Sequence, residues 1–422
     1  MRLLFSAILT VLAAVVAYRI YQVLERPLPD DVENPSQLRW IDELGRIANI
    51  LETSSKAIGF NPATKPVKSL VDIGFSLVLN PTFWRKAADN IKVANAVYGN
   101  VPVITFTPGE LASLTSPRPV MVYFHGGGWT WFSAGSYNVP LRTLASKTQF
   151  VIVAVDYRTA PQAAFPAAYD DCLAVTKHVV DNAKKLNYRS DLIIVAGDGS
   201  GGNLAASVAI EMKEKIAMQL LISPALQILN LGTPSYQDMN DVLPGVTNPR
   251  REITHWLNYA NLDQEPGFID DMLNNVHASK HLHEVYKDFF DSKKRIPAHM
   301  NVSERHTLPH VRTKFGTAYK LDKFVTDVRF SPMMIRNTKG IPNAYFISCH
   351  YDVLRDEAIM YGHRLLESGV KVKFRHYPSA FHGFVLFAGS SFWKFPVSDK
   401  ALNELVDFLQ FQYFNVRKDR RE

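Results

Sequence analysis

Two cysteines in 422 residues are the scarcest chemistry in this chain, and their scarcity sets its first limits. Cys172 and Cys349 make no disulfide framework and are too few for a thiolate metal site; they read as buried free thiols, and no metal or cofactor is expected. A dominant charge of one sign is also missing, because 47 Lys and Arg stand against 40 Asp and Glu and the resulting +7 is spread along the chain. The dense basic cluster is the end, Arg417-Lys418-Asp419-Arg420-Arg421. Without a basic stripe or a nucleic-acid-binding module, a nucleic-acid partner is excluded, and the tail reads as a solvated segment that can touch anionic headgroups. Repeats and low-complexity tracts are absent. With 47% hydrophobic and 21% charged residues the chain is globular rather than disordered. Its length suits one large α/β domain with insertions, or two domains.

An uncharged apolar run opens the chain, Leu3 to Tyr18, and extends to Leu24 if Arg19 is tolerated. As a helix the shorter span measures about 24 Å and the longer about 33 Å, against a hydrocarbon core of roughly 30 Å. Arg19 can snorkel to the interface. Val15-Val16-Ala17 could serve as a signal-peptide cleavage site, but apolar character continues through Tyr18, Ile20, Tyr21 and Val23. An uncleaved single-pass anchor over residues 1–24 is therefore expected. Asn301-Val302-Ser303 is the one usable glycosylation sequon and is consistent with a lumenal body, whereas Asn80 is followed by Pro81 and fails.

After a breaker-rich linker at 26–31, residues from about Ser36 to Ala96 read as helices, with apolar positions at Leu38, Ile41, Leu44, Ile47 and Ile50. From about Val101 the pattern changes to short apolar strands: Val101–Thr107, Val120–Phe124, Phe150–Val155, Leu192–Ala196, Met218–Ile222, Ala344–Ser348 and Val370–His376. Helical segments around Asp170–Lys185, Asn203–Lys215, Asp356–Ser368 and Asp399–Asn415 alternate with or follow them. Continuous apolar strands alternating with helices predict an α/β fold with a mostly parallel sheet covered on both faces. A stretch of mixed helical and Pro-rich character, about 227–329, interrupts the alternation just after a strand's carboxyl end, where lids over α/β sites belong. The expected organisation is an anchor over 1–24, a helical cap region over 25–100, and an α/β domain over 101–422 carrying that lid.

Chemistry-bearing motifs sit at four strand ends. After Leu192–Ala196 comes Gly197-Asp198-Gly199-Ser200-Gly201-Gly202-Asn203, then a small-residue helix pattern. Strand, Gly-rich turn and helix are the setting of a nucleophile elbow, G-x-S-x-G, but Gly199 occupies the serine position and the serine follows one place later. Phe124-His125-Gly126-Gly127-Gly128-Trp129 is a glycine run whose backbone N–H groups can serve as an oxyanion hole. Asp352, in the segment after Ala344–Ser348, can fix the tautomer of an imidazole, with Asp356 a competitor better placed for helix capping. His382 lies in Ala380-Phe381-His382-Gly383-Phe384 after the last strand. Elbow, Asp, His is the chain order used by α/β-hydrolases.

With these residues in view, the chain resembles the arylacetamide deacetylase and hormone-sensitive-lipase-like branch of the α/β-hydrolases. HGGGW (125–129), DYRTAPQAAFPAAYDD (156–171), GDGSGGN (197–203), DVRFSP (327–332), YDVLRDE (351–357) and FHGF (381–384) carry the likeness, and PLPDDVENP (27–35) after the apolar start resembles the arylacetamide deacetylases in particular. The resemblance implies an α/β-hydrolase fold with a helical cap, hydrolysis of carboxylic esters or amides of lipid-like substrates, and a single-pass endoplasmic-reticulum membrane protein with its body in the lumen. Carried over by position, the N–H groups of Gly126, Gly127 and Ser200 form the oxyanion hole, and Asp352 and His382 are the acid and base of the triad.

Two departures qualify it. The family elbow reads GDSAGG, and here Gly199 and Ser200 replace the Ser-Ala pair. Thr130 stands where arylacetamide deacetylases carry a cysteine that pairs with the one matching Cys349, so that disulfide is expected to be missing. Glycine fills the strained elbow backbone without cost, while Ser200 lies about 3.8 Å further along, at the start of the helix. A misplacement of about 1 Å can cost 10²-fold in rate, so a full residue shift is expected to be crippling. Two readings follow. Either the chain is a catalytically impaired hydrolase that binds an apolar acyl or lipid-like ligand or a protein partner, or it is an active serine esterase or lipase whose elbow re-forms around Ser200 as displaced nucleophile. Trp129, Trp131, Phe132 and Phe384 suggest an apolar ligand.

Overall fold

The computed structural model describes residues 17–57, 65–79, 90–109, 116–239, 241–262, 265–300, 312–390 and 392–414, with Val11 and Ala14. Asn301 and the basic terminus lie outside these residues, as does most of the apolar run 3–24. Among the described residues no helix is long and apolar enough to cross a membrane.

The frame is an eight-stranded sheet in the order β1-β2-β4-β3-β5-β6-β7-β8. Its strands are β1 Ile91–Tyr98, β2 Val101–Pro108, β3 Arg118–Phe124, β4 Val151–Val155, β5 Tyr188–Asp198, β6 Met218–Ile222, β7 Asn343–Tyr351 and β8 Val372–Phe381. Pairings from β4 to β8 are all parallel, while β1 and β2 add an antiparallel edge. β4 and β6 are buried at every residue, as apolar strands covered on both faces must be. β1 corrects the expectation of helix up to Ala96. Its β-formers Ile91, Val93, Val97 and Tyr98 alternate only weakly, and the hairpin is closed by the Gly99-Asn100 turn, where both φ values are positive (57° and 66°), as in the tight turns that match hairpin twist.

The helices that position the site are α1 Pro35–Ala57, α2 Lys65–Leu79, α3 Asn138–Thr148, α4 Ala167–Asp181, α5 Ser200–Glu211, α6 Pro249–Ala260, α7 Phe315–Thr326, α8 Arg355–Glu367 and α9 Pro396–Phe414. The Ala-rich face of α5 lets that helix lie close against the sheet, and Ser200 through Ala209 are all buried. The segment between β6 and β7, where the sequence places a lid, is a set of short helices including α6 and α7.

α1 docks on the lid with no side chain between backbones. A Cβ on Gly45 would meet Gly245 O at 1.8 Å, and one on Gly245 would meet Asp42 O at 1.7 Å. Around this crossing the fully buried Asp42 accepts hydrogen bonds from Arg26, Arg46 and the Gly245 N–H. Arg19, expected at a membrane interface, bonds Glu43 on α1. The Gly45→Ala substitution gains roughly 1 kcal/mol of helix propensity but drives a methyl group into a rigid carbonyl. It is expected to lower global stability by about 1–3 kcal/mol and to speed amide exchange along α1 relative to β5; an unchanged or raised melting temperature would contradict the docking described.

Candidate active site

The turn after β5 has the elbow's shape and register, centred on Gly199. Gly199 has φ 52° and ψ −117°, a conformation that side chains strain to adopt. Gly197 and Gly201 lock that register, since a Cβ on Gly197 would lie 2.3 Å from Gly201 C and O, and one on Gly201 would lie 2.0 Å from Phe124 O. Moving the turn one residue to centre it on Ser200 would put Asp198 in the place of Gly197, where a Cβ has no room. Ser200 begins α5, and its Oγ accepts a hydrogen bond from the Trp129 N–H at 3.2 Å; among the described residues no hydrogen bond joins it to His382. It does not cap α5, whose N-cap is Gly199.

His382 and Asp352 are brought together from the ends of β8 and β7. His382 Nδ1 lies 3.0 Å from Asp352 Oδ2, and the Asp352 side chain is fully buried. Asp352 Oδ1 accepts the Leu354 N–H at 2.9 Å, and the Cys349 thiol, a buried free thiol like that of Cys172, approaches Oδ2 at 3.6 Å. Asp356 is engaged elsewhere, with Arg355 Nε at 2.8 Å and the Ser235 N–H at 2.7 Å. Burial disfavours the charged imidazole of His382, but Asp352, Glu252 and Asp198 outweigh it and raise its pKa to about 9. Its other nitrogen, Nε2, faces the elbow: a Cβ on Gly199 would sit 3.5 Å from it.

The glycine loop after β3 is pinned by Asp198. Tyr123 and Tyr137 hydroxyls each donate to this carboxylate at 2.8 Å, and the Gly126 N–H reaches Asp198 Oδ1 and Tyr137 Oη, both at 3.1 Å. Gly126, expected as an oxyanion donor, therefore spends its N–H inside the protein, and a Cβ there would lie 2.4 Å from Asp198 Oδ2. The two glycines of the loop that line the cavity are Gly127 and Gly128, with φ of 108° and 61°. Of the expected pair, Gly127 borders the cavity and Gly126 does not. The Ser200 N–H, at the first turn of α5, has no intrahelical acceptor. His125 holds the loop from behind through Nδ1 and the Gly126 carbonyl at 2.8 Å; burial pushes its pKa down to about 4 and keeps it neutral.

Above the elbow lies a cavity of about 400 Å³. Ile41, Leu44 and Ala48 of α1 and Val71, Phe75 and Val78 of α2 form its apolar roof; Arg251, Glu252 and His255 of α6 form one wall. Gly199, Ser200 and His382 are at its base. Of the four aromatics noted in the sequence, Trp129 and Phe132 line it, whereas Phe384 is packed on Tyr377 in the core and Trp131 is buried outside it. Sequence reasoning missed Glu252, whose carboxyl is pushed up by burial and held back by His382 and Arg251. The available signal was the i, i+3 spacing of Glu252 and His255 on a lid helix opened by Asn248-Pro249.

Comparison with known proteins agrees with this geometry. An α/β-hydrolase-fold family model matches residues 121–289 and 286–386. Arylacetamide deacetylase of Bos taurus is 30% identical over 397 residues, covering 91% of this chain and 94% of its own. Neutral cholesterol ester hydrolase 1 of Mus musculus is 28% identical, covering 95% of this chain and 98% of its own. The structure of a hyperthermophilic esterase from the archaeon Pyrobaculum calidifontis superimposes with a TM-score of 0.58 at 22% identity, over 86% of this chain and 97% of that one.

The raised pKa has a measurable consequence. His382 titrates near 6.5 when unfolded and near 9 when folded, so its proton adds stability that is fully present below pH 6.5 and is lost as pH rises through 9. The difference in melting temperature between the protein and its His382→Gln variant is expected to shrink between pH 6.5 and pH 9.5. A difference that stays constant or grows over that window would contradict the pairing.

Proposed function

The chain belongs to the arylacetamide deacetylase and hormone-sensitive-lipase-like family of α/β-hydrolases, whose members act on esters, and we propose that it keeps the family's pocket while lacking its nucleophile, working as a binder of a lipid-like ligand. One observation carries this reading: the elbow is locked in register on Gly199, with Ser200 Oγ engaged by the Trp129 N–H. The apolar roof contributed by α1 and α2 supports an acyl or lipid-like ligand, as do the relatives named for deacetylating arylacetamides and hydrolysing cholesterol esters. We further propose attachment to the endoplasmic-reticulum membrane through residues 3–24, with the folded body lumenal.

Restoring the nucleophile tests the reading. A serine Cβ at position 199 meets only the His382 ring, at ordinary contact distance. Gly199→Ser is expected to cost about 1–2 kcal/mol of stability for a side chain in left-handed backbone, yet to raise turnover of a p-nitrophenyl ester by roughly 10³-fold or more, since removing a catalytic serine costs about 10⁶-fold elsewhere. Ser200→Ala is expected to leave the low starting rate within about twofold; loss of turnover in that variant would establish Ser200 as the nucleophile and overturn the proposal.

A further inference from the structure

The base of the cavity collects hydrogen-bond donors around one point. Around a Cβ placed on Gly199, the heavy atoms within 4 Å beyond its chain neighbours are His382 Nε2 and Cε1, so the space a serine would fill opens into the cavity. With Nδ1 committed to Asp352, a protonated His382 presents its remaining N–H, on Nε2, to that space. Gly127 and Gly128 border the cavity on one side, and the first turn of α5, with the Ser200 N–H, borders it on the other. In a working esterase the serine oxygen stands between imidazole and oxyanion hole. Here His382, Gly127, Gly128 and Ser200 all border the cavity, and the apex between them carries no side chain.

Building on the reading of this site as non-hydrolytic, we propose that the site binds long-chain monocarboxylates. One carboxylate oxygen takes the position of the absent serine oxygen and accepts from His382 Nε2–H. The other lies among the backbone N–H groups of Gly127, Gly128 and Ser200, and the alkyl chain runs into the apolar space under α1 and α2. An ionised acid fits this donor set better than an ester, because charge-assisted N–H···O bonds are roughly twice as strong as neutral ones. The volume of about 400 Å³ is in the usual range for small-molecule sites. The charged groups facing His382 are Asp352 behind it, Asp198 beneath it and Glu252 from α6, with Arg251 beside Glu252. Burial raises the carboxyl pKa of both Glu252 and Asp198, while His382 holds both back.

The test compares palmitate with methyl palmitate, titrated into the full-length chain in phospholipid nanodiscs, with the ester analysed for cleavage at the end. The expected result is palmitate bound about tenfold tighter or more, and the preference abolished in His382→Gln. Equal affinities with the ester recovered intact would overturn the carboxylate assignment while leaving the non-hydrolytic reading standing. A preference that survives in His382→Gln would also overturn it. Conversion of methyl palmitate to palmitate by the unmodified protein would overturn the reading on which the proposal rests.

Discussion

Three backbone segments meet at the centre of this molecule with no room for a side chain between them. The end of β3, the turn after β5 and the start of α5 touch through Gly197, Gly201 and the Phe124 carbonyl, at distances that any added Cβ would bring to about 2.0–2.7 Å. This contact fixes which residue sits at the apex of the turn. Because the apex conformation has positive φ, the glycine found there relaxes strain that a serine would store. A glycine at the apex therefore leaves the shape of the turn intact.

Asp198 links that turn to the neighbouring loop. As the residue before the apex it gathers two tyrosine hydroxyls and the Gly126 N–H, holding the glycine run against the elbow. The same network decides which loop glycines face the cavity. On the other side, Asp352 and His382 join the ends of β7 and β8, and the raised pKa of His382 makes that pair an ion pair across the neutral range. The pair therefore stands beside a turn whose apex carries no hydroxyl.

Much of this was legible in the sequence, for physical reasons. Parallel strands buried on both faces are continuous apolar runs, so β4, β5 and β6 could be read directly, and Met218–Ile222 has the same limits in the structure. The contact between Asp352 and His382 was legible from their places after successive strands. What the sequence hid depends on contacts between distant residues. Gly126 is turned inward by Asp198 and Tyr137, 72 and 11 positions away, and nothing in a run of three glycines says which one faces a ligand. β1 alternates only weakly, and the hairpin with β2 places it in the sheet. Glu252 reaches the site only because the lid folds back over the sheet.

Whether the folded protein holds an activated serine decides between the two readings of the elbow. Intact-mass analysis and peptide mapping after exposure to a fluorophosphonate measure this directly, since the reagent labels a serine only where imidazole and oxyanion hole converge on it. Folded protein is expected to emerge with its mass unchanged. An adduct mapped to Ser200 would show that the turn re-centres in solution despite Gly197 and Gly201, and would contradict this expectation.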